Sequence, residues 1–297
     1  MKKTAVLLCI SLLIAACKPG TQISPAPIGN MSHAQIDSML QANVLAGYTV
    51  TDRIEIYSEM FLGTPYSWTA TGDGPYALRE RYPLVNFDST NCMVYCEHVL
   101  ALSISDSWDN FFNNLQKIRY RDGIIGMKTR NHYTMADWLP ENRWLLDDVS
   151  REVGGEFTKS LTRTISHEEF FRKKGITDMR YVKLDRSMTV DYVPTEHLGQ
   201  VKKKIRSGDI VALLHAKKDD IFSAHMLMIV EKPDGLYFRE ASTSNNSTFE
   251  TPYETWLEQK SGSERYAGLA FMRVRDDVNT AGAVILPWKI IDLKQRR

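Results

Sequence analysis

The residues best suited to nucleophilic chemistry near neutral pH are the four cysteines and seven histidines. Cys9 and Cys17 fall near the N-terminus, which leaves Cys92 and Cys96. They lie in a run apolar at Cys92, Tyr95, Cys96, Val99, Leu100 and Leu102, the pattern of a buried helix over 91–103. A spacing of four puts both sulfurs on one helix face, yet helix geometry keeps the Cβ atoms too far apart for an unstrained disulfide. At least one thiol is therefore expected to be free. Cys92 opens the helix, with Asp88, Ser89 and Thr90 before it as capping candidates. A thiol there faces unpaired backbone N–H groups and the positive end of the helix dipole, and both favour the thiolate. Cys96, one turn further in, receives less of that field and is expected in the core. Position alone leaves two readings open, an activated nucleophile or two buried structural thiols.

A thiolate nucleophile needs a base, usually histidine, held by a third polar group. The candidates are His33, His98, His132, His167, His197, His215 and His225. His98 shares the helix of Cys92, but its offset of six aims it elsewhere. His33, His167 and His197 stand at helix starts among charged residues, where a solvated side chain is expected. His225 opens the run His225-Met226-Leu227-Met228-Ile229-Val230, apolar on both strand faces. Its strand is therefore buried, and its first residue is expected at a sheet edge or cleft, where it needs a polar partner. Glu240, alternating with Leu236 and Phe238 in the next strand, can supply one. A satisfied core histidine is the other reading. Cys92, Cys96 and His98 form C-x3-C-x-H, but no second ligand pair follows at zinc spacing, so no metal is expected. Phosphate-binding glycine loops and G-x-S-x-G are absent, and no cofactor is implied.

The elements that must position these groups change character along the chain. The first half has helical periodicity: a helix capped by Thr51, with Ile54, Tyr57, Met60 and Phe61 inside and Gly63 at its end; then 91–103; then one opened by Asp106 through Phe111, Phe112, Leu115 and Ile118. Residues 131–142 read as loop, and Ser166 with Glu169 as a capping box. The second half holds short β-rich runs at 180–193, 209–215, 225–231, 236–242 and 269–274, separated by turns such as Pro233-Asp234-Gly235. Helices followed by a mainly antiparallel sheet make an α+β fold.

Charge is balanced, with 37 basic and 36 acidic residues and a formal net charge of +1, which argues against a nucleic-acid partner. Lys2 and Lys3 precede a short apolar run from Ala5 to Ile14, too short to span a bilayer of roughly 30 Å. Residues 1–16 therefore read as a cleavable signal. Ile14-Ala15-Ala16-Cys17 resembles the lipobox of bacterial lipoproteins, which implies cleavage before Cys17 and diacylation of its sulfur. Lys18 in place of an aspartate points to the periplasmic face of the outer membrane in a Gram-negative host. Residues 17–30 read as lipidated cysteine plus a flexible tether, rich in Pro, Gly and Ser. The expected setting is an exported protein held to the cell envelope by its N-terminal lipid.

Six segments in order then resemble one family. Gly63-Thr64-Pro65-Tyr66 is similar to the G-T-P-Y segment of NlpC-type, papain-like cell-wall peptidases. Asn91-Cys92-Met93-Val94-Tyr95-Cys96-Glu97, continuing through Leu100-Ala101-Leu102, resembles the nucleophile helix of the N-acetylmuramoyl-L-alanine amidase-like branch. Tyr120 to Gly123, Thr129 to Tyr133 and Asp137-Trp138 resemble that branch's insertion. Ser207-Gly208-Asp209-Ile210-Val211, the His225 strand and Gly268 to Arg273 resemble its sheet. The resemblance implies a single papain-like domain over 31–297 with a helical insertion near 104–175. It implies Cys92 as nucleophile, His225 as base and Glu240 as orienting group, with Tyr66, Arg130, Asn131, His132, Asp137 and Trp138 shaping the substrate cleft. The substrate would be peptidoglycan or a muropeptide, cleaved at the lactyl–L-Ala amide. A stem-peptide endopeptidase of the same mechanism and a non-catalytic peptidoglycan-binding lipoprotein are the alternatives. Three positions depart from the family's pattern: Asn91 replaces an acid, Met226-Leu227-Met228 lacks the small glycine, and Glu240 stands where relatives carry histidine.

Overall fold

The computed structural model describes residues 26–296. The signal segment 1–16, Cys17 and most of the tether lie outside the described residues. The folded part begins before residue 31, because Ile28 is fully buried and its amide donates to the Met60 carbonyl at 3.0 Å.

Four main helices come first: α1 (His33–Leu45), α2 (Val50–Glu59), α3 (Cys92–Ser103) and α4 (Trp108–Arg119). The strands are β1 (Leu146–Asp148), β2 (Lys159–Ile165), β3 (Arg186–Pro194), β4 (Ile210–His215), β5 (Ser223–Lys232), β6 (Gly235–Ser242), β7 (Ser247–Pro252) and β8 (Tyr266–Val274). They form one sheet in the order β2-β3-β8-β4-β5-β6-β7, with β1 also on β8, and these pairings are all antiparallel. The α+β expectation holds. Among the described residues no helix is long and apolar enough to cross a membrane.

The sheet is covered on both faces, which explains why β5 is apolar throughout. Met226 and Met228 pack into the core beneath the main helices, while Leu227 and Ile229 join Phe238, Tyr253 and Trp256 on the other side. Alternate residues of a strand point to opposite faces, so a strand covered twice loses its polar positions. The helix α3 lies on β5 and β6 and is buried from Val94 to Ser103. Removing each such Leu or Val side chain from water contributes roughly 1.5–3 kcal/mol, so this helix is firmly seated.

Several local expectations are corrected. The α2 cap is Thr49, not Thr51: its side chain accepts from the Asp52 amide while Asp52 answers the Thr49 N–H, a complete capping box. The α3 cap is Asn91 itself, whose Oδ1 accepts from the Val94 amide at 3.0 Å, so Asp88, Ser89 and Thr90 are not needed. Ser107, rather than Asp106, caps α4. Residues 134–138 form a π-type helical turn continuing into Leu139–Glu141 instead of a loop, because Ala136, Trp138 and Leu139 are buried. The region 104–175 is not wholly helical, since it carries β1 and β2.

Candidate active site

The site grows from the first turn of α3. Asn91 takes the Val94 amide, so the N–H groups of Cys92 and Met93 stay outside the helix's own ladder. The segment after α2 is stitched into place beside that turn. The Gly63 N–H donates to the Thr248 carbonyl at 2.8 Å, and Tyr66 N–H to the Asn246 carbonyl at 2.8 Å. Thr90 N–H donates to Pro65 O, and Ser67 N–H to Thr90 O. Gly63 makes the entry with φ +83°, a conformation glycine adopts without strain. The result is Tyr66 held against Cys92.

The second half of the site comes from the sheet. The β4–β5 register runs Leu213 to His225, then Leu214 to Ser223, so Ala224 is an extra residue. Such a bulge re-aims the next side chain, and here that side chain is His225. The Ser223 hydroxyl donates to the His225 carbonyl at 3.0 Å and braces the bulge. Met228 pairs with Arg239 across β5 and β6, which puts Glu240 one diagonal step from His225 on the same face. Its Oε2 lies 2.7 Å from His225 Nε2. The other ring nitrogen is left for Cys92, whose charge acts directly on His225. His225 thus sits in an interior strand, at a bulge that opens onto a cleft, and not at a sheet edge.

The electrostatics follow from these contacts. Burial by itself pushes the Cys92 thiol up, but the charge and hydrogen bond of His225 and the amides of Met226 and Met93 outweigh it, leaving the thiol below its ordinary range. Burial likewise disfavours His225 as a cation, yet Cys92 and then Glu240 push it up to about 10. Both shifts favour a thiolate–imidazolium pair, with a carboxylate behind it. Cys96 differs: wholly buried, its thiol is driven well above the ordinary value, first by burial and then by Cys92 and Glu97. Tyr66 is pushed up to about 12 by burial and by Cys92, so it keeps its proton at neutral pH.

Two cavities meet at this point. One of 440 Å³ is lined by Tyr66, Trp68, Cys92, His225, Glu240 and the 242–245 turn. The other, of 400 Å³, is lined by Trp68, Asn91, Met93, Arg119, Arg130, Asn131, His132 and Lys174, among others. Arg130, Asn131 and His132 therefore line the groove, though Arg130 is braced by Asp73 and Glu80. His132 Nε2 donates to the Met127 carbonyl at 2.8 Å, and burial brings the imidazole down to about 4.

Asp137 and Trp138 do not line either cavity. Trp138 is in the core, and Asp137 is buried against His167 at 2.8 Å and Lys183 at 2.8 Å. The same contact corrects His167, which is buried rather than solvated. His33 is exposed and stacks on Trp108, and His197 is half-buried against Phe157. His98 is a satisfied core histidine, bonded to the Val94 carbonyl and lowered to about 3 by burial.

Sequence reasoning missed Trp68, which is 78% exposed and shared by both cavities, and the polar turn at 242–245. A signal for Trp68 was present in the aromatic loop after Gly63; the turn directly follows the Glu240 strand. Among the described residues no group of three or more His, Cys, Asp or Glu side chains is arranged to hold a metal ion.

The model of a family described as AmiA-like, N-acetylmuramoyl-L-alanine amidase-like, matches residues 56–263. Among solved structures, a Legionella pneumophila protein superposes with a TM-score of 0.72 at 20% identity, over 85% of this chain and 99% of its own. An N-acetylmuramoyl-L-alanine amidase from Bacteroides uniformis superposes with a TM-score of 0.56 at 24% identity, over 82% of this chain and 100% of its own. A further structure with the same name and organism gives 0.58 at 23% identity, over 80% and 99%. No curated protein matches this chain. At these identities the likeness to the solved structures is one of fold.

Proposed function

This chain belongs to the N-acetylmuramoyl-L-alanine amidase-like family, and from that premise we propose that it is a cysteine amide hydrolase acting on muropeptides at the lactyl–L-Ala bond. The observation that carries the reading is the series Cys92–His225–Glu240 along one cavity, in which the thiol is lowered by an imidazole that a carboxylate backs at 2.7 Å. A buried structural thiol has no use for that arrangement. Cys96, one turn away, lacks it. We further read the fold as papain-like.

In the proposed reaction the Cys92 proton rests on His225, and the thiolate attacks the amide carbonyl. The Met93 and Met226 amides hold the thiolate before attack. As the carbonyl carbon becomes tetrahedral, its oxygen gains charge at the tip of α3. The Cys92 N–H and the protonated Tyr66 hydroxyl are the donors available to it, each worth about 3 kcal/mol in such sites. Imidazolium then gives its proton to the leaving amine, the C–N bond breaks, and a thioester remains on Cys92. Water, deprotonated by His225, cleaves the thioester and restores the thiol. Glu240 acts through His225, keeping its Nε2 proton and its orientation. Arg130, Asn131 and His132 belong, in this proposal, to the wall that holds the substrate. Export and lipidation at Cys17, on the outer membrane's periplasmic face, complete the proposal.

The test is product mass spectrometry on defined muropeptides with wild type and Cys92→Ser. Hydrolysis at the proposed bond frees a stem peptide with a new L-Ala amine, and the variant is expected to lose roughly 10³-fold or more of kcat/KM. A new amine on the diamino acid instead would make the chain an endopeptidase. No product from the wild type, or equal product from both proteins, would end the hydrolase reading.

A further inference from the structure

Beside the Glu80–Arg130 end of the groove, three loops bring bulky apolar side chains to one tip of the molecule. Tyr76 and Leu78 are 99% and 96% exposed, Ile124 and Ile125 are 61% and 42% exposed, and Tyr181 is 84% exposed. The loops are tied together. Arg79 donates to the carbonyls of Lys174 and Gly175 at 2.9 and 2.8 Å, and Lys128 donates to the Arg180 carbonyl at 3.0 Å. Tyr76, Leu78, Ile124 and Ile125 border a shared hollow of 790 Å³, together with Ile176. Scattered exposed apolar residues are normal on a protein surface, but a contiguous set of this kind marks a contact.

Charge at the rim says what kind of contact. The guanidinium bonds of Arg79 and Arg81 go to backbone carbonyls, so no carboxylate offsets them there. Lys128 and Arg180 share a single carboxylate, Asp178. The other nearby acids are already engaged: Asp73 by Arg130, Glu80 by Arg130 and Lys174, and Asp122 by Lys294. The rim is therefore cationic. The apolar side chains at its tips stand outward, so the medium that covers them must close around protrusions. A bilayer's headgroup layer does so, takes tyrosine at its polar boundary, and attracts cations when its lipids are anionic.

We propose that this loop cluster is a membrane-docking tip that seats on an anionic bilayer. It owes nothing to the N-terminal anchor or to the hydrolase reading. Hydrogen–deuterium exchange of the full chain, free and with vesicles of phosphatidylcholine containing one-third phosphatidylglycerol, tests it. Peptides covering 74–82 and 123–129 are expected to exchange roughly tenfold more slowly on the vesicles at low salt, while 253–266 stays unchanged. The double variant Tyr76→Ser, Leu78→Ser is expected to lose that protection with an unchanged melting temperature, since both side chains are almost wholly in solvent. Unprotected loops in vesicle-bound protein, or no binding at all, would overturn the proposal. Equal protection on phosphatidylcholine alone would overturn its anionic character. Protection that grows with protein concentration without vesicles would assign the tip to a second copy of the chain.

Discussion

The chain builds two histidine–carboxylate pairs of nearly the same geometry, and they have opposite surroundings. His225 Nε2 lies 2.7 Å from Glu240 Oε2, and His167 Nε2 lies 2.8 Å from Asp137 Oδ2. In the first pair the remaining ring nitrogen faces Cys92 at the meeting of two cavities. In the second, Nδ1 of His167 has no hydrogen-bond partner, and the side chains are 3% and 1% exposed. Asp137 is also held by Lys183 at 2.8 Å and Arg186 at 3.2 Å. Burial alone would raise its carboxyl, but the bonds from His167 and Lys183 hold it down at about 2. That carboxylate joins the turn at 134–138, the helix His167–Lys173 and the start of β3. A carboxylate-backed imidazole is thus not a site in itself. A thiol beside the imidazole and a groove next to it make the difference.

If the comparison is right, the two histidines separate cleanly on substitution. His225→Ala is expected to lower kcat/KM by roughly 10³-fold, the middle of the range for a general base, with little change in melting temperature. His167→Ala should do the reverse, keeping muropeptide hydrolysis near wild type while melting earlier. Equal losses of activity in both variants, measured on folded protein, would break the distinction. Asp137→Ala carries the largest stability effect. It leaves the buried His167 without its partner and frees the part-exposed Lys183 and Arg186, which water can partly solvate, so the cost is expected at about 3 kcal/mol, the low end for breaking a buried pair. Urea denaturation followed by circular dichroism reads it directly, and a loss under about 1 kcal/mol would make the cluster ornamental.

The two pairs also differ in how far the sequence announced them. His225 stands at the head of an uninterrupted apolar run, so a buried strand and a needy polar residue were both legible. Glu240 followed from alternation one strand later. The pairing of Asp137 with His167 joins residues thirty apart through packing, and neither carries a periodic signal. His167 looked solvated because its neighbours Glu168 and Glu169 are charged, yet its helix turns that one side chain inward. The same limit hid β1, β2 and β7. β2 reads Lys-Ser-Leu-Thr-Arg-Thr-Ile with only Arg163 and Ile165 buried, and it is held by β3 alone, so composition says little. Thr49 was overlooked as a cap because Thr51 has the same chemistry two residues later. The bulge at Ala224 leaves no mark in the sequence, although it aims the histidine.

Glu240→Gln sharpens the comparison with the smallest change. Cys92 is the stronger influence holding His225 protonated, and Glu240 is the next. Removing the carboxylate's charge must therefore lower the histidine from its value of about 10 without abolishing the pair. The thiolate–imidazolium state exists above the depressed Cys92 ionisation and below the raised His225 ionisation. Its alkaline boundary is then expected to move toward neutrality while its acid boundary moves little. At neutral pH kcat should fall about tenfold, with the alkaline limb of the kcat/KM profile displaced downward. Stability follows the same sign: His225's contribution is complete below the ordinary histidine range near 6.5 and is lost as pH rises through about 10. The variant should lose it at lower pH. A carboxylate that merely packed against β5 would scale the whole profile down and leave both limbs in place.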